Sequence, residues 1–404
     1  MTKDPDASWL PIIAVFLLGC SATALVPQTV PILGKLATEF GVARDALGWV
    51  VSLPSLACAL GAFAFGLVID RMGDRVVLYA GVVVVAAGDF LVTHATSVPL
   101  LMSARIIQGL GYIALTVAGA TFVLRTTEGE HRRKAMALWA AHTPAGFAAA
   151  ILFVTPLARP DADWRWAFWG HAMIVLVVGL LAWSVVRSRA GGSFGRSIGM
   201  KDVLTNVRVY RIGLASLSSA LLQTGLMTVI VSHLGRHYGT KPTEAALYVL
   251  IAMAANLSGA IIVVMTPVRK APSVTLLGSA GIAAAAGLLI MLAAFHEIGA
   301  TVVTLIAFAG FLGIANSLIW SFMGHGLLSP QASGALGGFI TQTTFIGVLV
   351  GPPIFFALSG AGHGSYTLAT MVALLLLMAI AAPIFNRRIP RTTPDAGHSV
   401  RSAA

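Results

Sequence analysis

Gly66-Leu67-Val68-Ile69-Asp70-Arg71-Met72-Gly73-Asp74-Arg75 concentrates four charged residues between two long apolar stretches. Charges packed that tightly between segments of membrane length predict a short helix-to-helix turn on one face of a bilayer. The composition around it agrees. The 404 residues are 57% hydrophobic and only 10% charged, with a mean hydropathy of +0.87, which leaves too little polar surface to coat a water-soluble globule. Short alternating strands of the membrane β-barrel kind are absent from the pattern. The expected class is an all-α integral membrane protein.

Outward from the charged turn, apolar runs predict spans at 9–37, 46–69, 76–93, 98–125, 132–157 and 165–187. A second set follows at 208–235, 243–266, 273–295, 299–327, 331–359 and 364–386. The first run lacks a basic leader and reads as a retained helix rather than a cleaved signal peptide. Twelve spans in two sets of six predict a bundle over 1–187, a linker over 188–207, a second bundle over 208–387 and a tail over 388–404. Cys20 and Cys58 both lie in apolar runs and imply no disulfide framework.

Basic residues are retained on the cytoplasmic side. With the amino terminus inside, 19 of the 26 Lys and Arg fall on the cytoplasmic face and six on the other, and Arg105 lies within a span. Both termini are therefore expected in the cytoplasm, with the protein in the cytoplasmic (inner) membrane. The net charge of +11 is mostly this topology signal and does not call for a nucleic-acid partner.

The charged turn matches Gly-x-x-x-Asp-Arg-x-Gly-x-Arg at Gly66, Asp70, Arg71, Gly73 and Arg75, and on it the chain resembles the major facilitator superfamily of secondary transporters. The resemblance implies that Asp70 faces the start of the eleventh helix, where Ser329-Pro330 looks like an N-cap followed by proline at the first helical position. A carboxylate there is stabilised by the positive helix end and would gate the two bundles; a solvated charged turn without a gating role is the alternative. Arg105-Ile-Ile-Gln108-Gly109 resembles the family's Arg-x-x-Gln-Gly segment. Pro27 and Pro31 resemble its Pro-x-x-x-Pro pattern, and Gly347-x-x-x-Gly351-Pro352 its glycine-proline bend. The fifth helix departs from the antiporter pattern, reading Ala141-His142-Thr143-Pro144-Ala145-Gly146. The second-half copy of the charged turn has lost its aspartate at Thr266-Pro267-Val268-Arg269-Lys270.

Ionisable residues inside spans face a cavity or a partner. Asp89 and Arg105 lie at comparable depth on the two arms of one hairpin, so they are expected to pair, either structurally or with Asp89 as a proton acceptor. His142 falls near the midplane, where an ordinary imidazole suits proton exchange; a neutral histidine bonded to a neighbouring helix is the other reading. Polar residues on the family's cavity-lining helices give the substrate-binding candidates Gln28, Arg105, Gln108, His142, Thr143, Gln223, Asn256, Asn316, Trp320 and Gln342, with Ser52 and Thr344 at similar depth. About half of these are expected to tie helices together instead.

The expected activity is proton-coupled secondary transport of a small organic anion or polar metabolite by alternating access, the protein acting as a monomer in the bilayer without a cofactor or metal. A proton-driven exporter of apolar drugs and a non-transporting receptor of the same fold are the alternatives. The sequence has no metalloprotease, nucleophile-elbow or phosphate-loop motif, so an enzyme or an ATP-driven pump is not expected. Asp70→Asn is predicted to slow turnover while leaving solute affinity near wild type, read by comparing flux with binding; wild-type turnover would remove the gate.

Overall fold

In a bilayer every backbone polar group must be satisfied within the protein, which leaves the helix as the spanning unit for an apolar chain of this kind. The structure, a computed structural model, describes residues 8–41, 47–186, 198–266, 272–292, 294–321 and 333–358. Those residues are helical nearly throughout. Helices α1 (Trp9–Ala24), α2 (Leu33–Phe40), α3 (Leu47–Ser52), α4 (Pro54–Met72), α5 (Asp74–Thr93), α6 (Val98–Thr126), α7 (Gly129–Ala140), α8 (His142–Val154) and α9 (Arg165–Val185) form the amino-terminal segment. A short α10 (Ile198–Thr205) precedes α11 (Val207–Tyr238), α12 (Pro242–Met265), α13 (Pro272–Met291), α14 (Ile298–Ser321) and α15 (Ser333–Leu358). Eight helices among the described residues are long and apolar enough to cross a membrane, and Trp9–Ala24, Pro54–Gly66 and Thr275–Met291 are shorter apolar helices. The expected twelfth span, the tail, Ser329, Pro330 and the Asp70 side chain lie outside the described residues.

Three expected single spans are broken, each beside a proline. The first ends at Ala24, passes through a tight turn at Pro27–Thr29 and resumes as α2. The second is interrupted at Leu53, before Pro54, and the fifth at Ala141, three residues before Pro144. Proline lacks the N–H that would bond the carbonyl four residues back, so each break frees backbone acceptors inside the membrane. The expected linker is not wholly irregular either: α10 lies within it and packs on α15, with Val203 buried.

Packing is densest where helices touch. The pairs α5 with α6, α12 with α14, and α11 with α15 hold each segment together, and α4 runs along α15 across the two segments. At that crossing Gly338 lies so close to α4 that an added Cβ would stand 2.5 Å from the Ala62 carbonyl oxygen. Beside it the Phe63 and Phe339 rings meet edge to face at 6.0 Å. Gln342 accepts from the Phe63 amide at 3.0 Å and donates to the Leu60 carbonyl at 3.4 Å. Large apolar side chains such as Leu180, Leu181 and Val303 project outward, as a lipid-facing surface requires.

Overpacking such a contact costs about 1–3 kcal/mol, roughly a tenfold shift in a two-state equilibrium. Gly338→Leu is therefore expected to lower cross-linking between cysteines placed at positions 63 and 339 by about that factor. Unchanged cross-linking would show that the crossing does not depend on the missing side chain.

Candidate functional site

Proline-freed carbonyls in a membrane need donors, and a buried arginine supplies them. Arg105, in α6, is fully buried. Its Nε donates to the Val50 carbonyl at 3.0 Å, the acceptor that Pro54 leaves without its helical N–H. Nη2 donates to Leu25 O at the end of α1 (2.8 Å) and to Val51 O (3.2 Å), and Nη1 to Gln108 Oε1 (2.7 Å). Carbonyls at helix ends carry partial negative charge, which suits a cation. One side chain thus joins α1, α3 and α6 at the points where the first two are interrupted.

The expected direct pair with Asp89 is replaced by a relay. Gln108 Nε2 donates to Asp89 Oδ1 at 2.6 Å, and His171 Nδ1 stands 2.7 Å from Asp89 Oδ2. His171 Nε2 lies 2.8 Å from the Ser21 carbonyl oxygen of α1. Asp89 is fully buried and His171 nearly so. Sequence reasoning misses His171 because α9 is not among the helices expected to line a cavity. The signal is present nonetheless: a second histidine well inside an apolar run.

A separate cavity lies between the amino- and carboxy-terminal helices. It takes Thr23 and Val26 from the end of α1, Tyr112 and Thr116 from α6, Trp139 from α7, and His142, Thr143 and Phe147 from α8. Facing them are Gln223 and Thr224 from α11, Asn316 and Trp320 from α14, and Thr341, Thr344 and Phe345 from α15. Its volume is about 40 Å³, well below the roughly 300 Å³ at the lower end for organic-ligand pockets. In this conformation the space is too small to hold a bound organic solute.

His142, Thr143, Gln223, Asn316, Trp320 and Thr344 are among the residues that line this cavity. Arg105 and Gln108 are in the relay instead, and Gln342 is at the α4–α15 crossing. Ser52 is buried and donates to the Gly48 carbonyl. Gln28, in the turn after α1, and Asn256, on α12 beside Gly313, are buried outside the lining. Apart from Trp320, the aromatic wall escapes the sequence reading, although Trp139 precedes His142 by one helical turn and Tyr112 follows Gln108 by one.

His142 sits at the break between α7 and α8, with its ring stacked on Trp139 at 4.3 Å. Its Nδ1 donates to the Trp139 carbonyl, which leaves Nε2, 3.5 Å from Thr143 Oγ1, as the accepting nitrogen. On the opposite wall Gln223 Nε2 and Thr341 Oγ1 are buried without a protein partner. Among the described residues the lining has no Asp, Glu, Lys or Arg. It is an aromatic slot with amide, hydroxyl and imidazole groups at its edges.

The described part of the charged turn makes contacts that the motif does not predict. Gly73 joins α4 to α5 with φ of 84°, a conformation that glycine alone adopts freely. Arg75 lies 4.1 Å over the Trp183 ring and donates to its carbonyl at 3.1 Å, so it holds α9. Asp74, absent from the expected gate, bonds Arg125 of α6 at 2.7 Å. Across the segments, Arg133 pairs with Glu130 and donates to the Val263 carbonyl of α12 at 3.2 Å.

Lysine carries a comparable charge but cannot reach four acceptors as a planar fork does. Arg105→Lys and Arg105→Ala are both expected to destabilise the protein, the alanine variant by about 3 kcal/mol or more because the buried Val50, Val51 and Leu25 carbonyls and Gln108 lose a charged donor. Thermal unfolding in detergent measures this, and a wild-type melting temperature in Arg105→Lys would contradict the tie.

Comparison with known proteins matches residues 12–352 to the Major Facilitator Superfamily. A probable 4-methylmuconolactone transporter of Cupriavidus pinatubonensis is 25% identical over 50% of this chain and 48% of its own length, so the alignment spans about half of that relative. The multidrug resistance protein MdtL of Citrobacter koseri is 22% identical over 86% of this chain and 90% of its own. Among solved structures, the human organic anion transporter MFSD10 superposes with a TM-score of 0.76 at 15% identity, covering 94% of this chain and all of that one. That last likeness is one of fold, and with the family match over most of the sequence it has a single reading: this chain is a multi-pass membrane protein belonging to the Major Facilitator Superfamily, a family of transporters and not of enzymes.

Proposed function

We propose that the protein carries a small aromatic or otherwise planar organic acid across the cytoplasmic membrane by alternating access, driven by a proton gradient. The observation that carries this reading is the composition of the cavity wall. Trp139, Trp320, Tyr112, Phe147 and Phe345 offer flat apolar faces, and the Gln223 and Asn316 amides offer N–H donors for a carboxylate. A permanent cation would find no carboxylate in that lining. The relative named for 4-methylmuconolactone, an organic acid, points the same way. In this reading Arg105 is structural, because four of its five N–H groups bond the protein.

In this reading twelve spans form two six-helix bundles with both termini in the cytoplasm, and the contacts at Gly338, Gln342 and Arg133 are made and broken as the bundles rock about the cavity. The aromatic wall and the likeness to a multidrug resistance protein also support a second reading, export of apolar drugs, which needs no polar anchor.

Proteoliposomes separate the two. With a panel of radiolabelled aromatic monocarboxylates and 4-methylmuconolactone, an imposed pH gradient is expected to drive accumulation of at least one solute. Gln223→Ala is expected to weaken its half-saturation by about tenfold, the value of a hydrogen bond to a charged group. If no acid moves and a hydrophobic dye does, the drug reading replaces this one.

A further inference from the structure

We infer that Asp89 and His171 hold one exchangeable proton whose loss unties α1 from α9. The inference supplies the coupling site for the proposed transport and rests on that reading only for its role in the cycle.

The argument is a count of hydrogens. The Ser21 carbonyl can only accept, so the 2.8 Å contact requires an N–H on His171 Nε2. The 2.7 Å contact between Nδ1 and Asp89 Oδ2 also requires a hydrogen, either on Nδ1 or on the carboxyl. The first case is an imidazolium beside a carboxylate, and the second a neutral imidazole beside a carboxylic acid. Both contain one proton more than a neutral histidine facing an ionised aspartate. The observed geometry is therefore that of the protonated pair.

Removing that proton leaves a single N–H for two acceptors. Placed on Nε2, it sets the bare Nδ1 lone pair against a carboxylate. Placed on Nδ1, it serves the charged oxygen and leaves the Nε2 lone pair facing the Ser21 carbonyl. A bond to a carboxylate is the stronger of the two, so the Ser21 contact is the one lost.

No other ionisable side chain among the described residues competes for this proton. Arg105 of α6 reaches Asp89 only through Gln108, whose Nε2 keeps Oδ1 occupied. At the outer end of α5, Arg165 bonds the Thr93 carbonyl and pairs with Glu39 and Asp163. The α1 contribution is the Ser21 backbone carbonyl, and from α4 the buried Cys58 hydrogen-bonds Thr116 and not the pair. Proton loss takes the Asp89–His171–Arg105 group from a net charge of +1 to zero.

Ser21 is two residues from Gly19, which lies against Trp139 and His142, and two from Thr23, which lines the cavity. Releasing the Ser21 carbonyl frees the stretch of α1 that forms one wall of the solute slot.

Infrared difference spectra of the purified protein in lipid nanodiscs, taken between about pH 5 and about pH 8, test the site without any solute. The expected result is a carboxyl or imidazolium band that appears on acidification and is lost in both Asp89→Asn and His171→Gln. In Asp89→Asn the new side-chain amide would donate a hydrogen to Nδ1 and preserve the Ser21 contact, so that variant is expected to fold and to melt independently of pH over this range. A wild-type spectrum without such a band, or a band that survives in both folded variants, overturns the inference. In the proteoliposome assay, Asp89→Asn is expected to keep solute exchange and lose accumulation driven by the pH gradient; accumulation at the wild-type level overturns the coupling role. Failure of every solute in the panel counts against the aromatic-acid reading and leaves the spectroscopic result standing.

Discussion

A guanidinium in hydrocarbon is tolerable only if its hydrogens find acceptors, and Arg105 places four of its five on Gln108 and on carbonyls where the first two spans are interrupted, one of them bared by Pro54. The exchange works in both directions. Without the arginine, Val50 and Leu25 lose a donor inside the membrane; without the broken helices, the arginine has nowhere to place its charge. The interruptions of α1 and of the second span, and the position of α6 between them, are parts of one arrangement.

That arrangement divides the polar groups of the amino-terminal helices into two sets. Arg105, Gln108, Asp89 and His171 form a sealed relay among α1, α3, α5, α6 and α9. His142 and Thr143 face the cavity with the amides of α11 and α14. The two sets meet along α1, whose residues 19 to 26 touch both. Five aromatic rings and a set of small aliphatic and hydroxyl side chains supply the other lining residues.

The architecture is legible in the sequence because lipid imposes length and hydropathy on every span. The charged turn and several cavity residues can be located from motifs and depth. Side-chain partners are less accessible. A sequence shows that Asp89 and Arg105 lie at similar depth but not that an amide stands between them, and the rotation of a helix about its axis is fixed by packing. The distinction between Arg105, turned toward carbonyls, and Gln223, turned toward a cavity, depends on that rotation. His171 is passed over when attention stays on the helices expected to line a cavity, while Asp74 and Arg133 are hidden because their partners are distant in the chain.

The two walls of the cavity have unequal chemistry. Every titratable side chain in its lining, Tyr112 and His142, comes from the amino-terminal helices, whereas Gln223, Thr224, Asn316, Trp320, Thr341 and Thr344 contribute amides, hydroxyls and an indole from the other side. Substitutions on α11, α14 and α15 therefore alter the amides and hydroxyls around the cavity and leave both of these titratable groups in place.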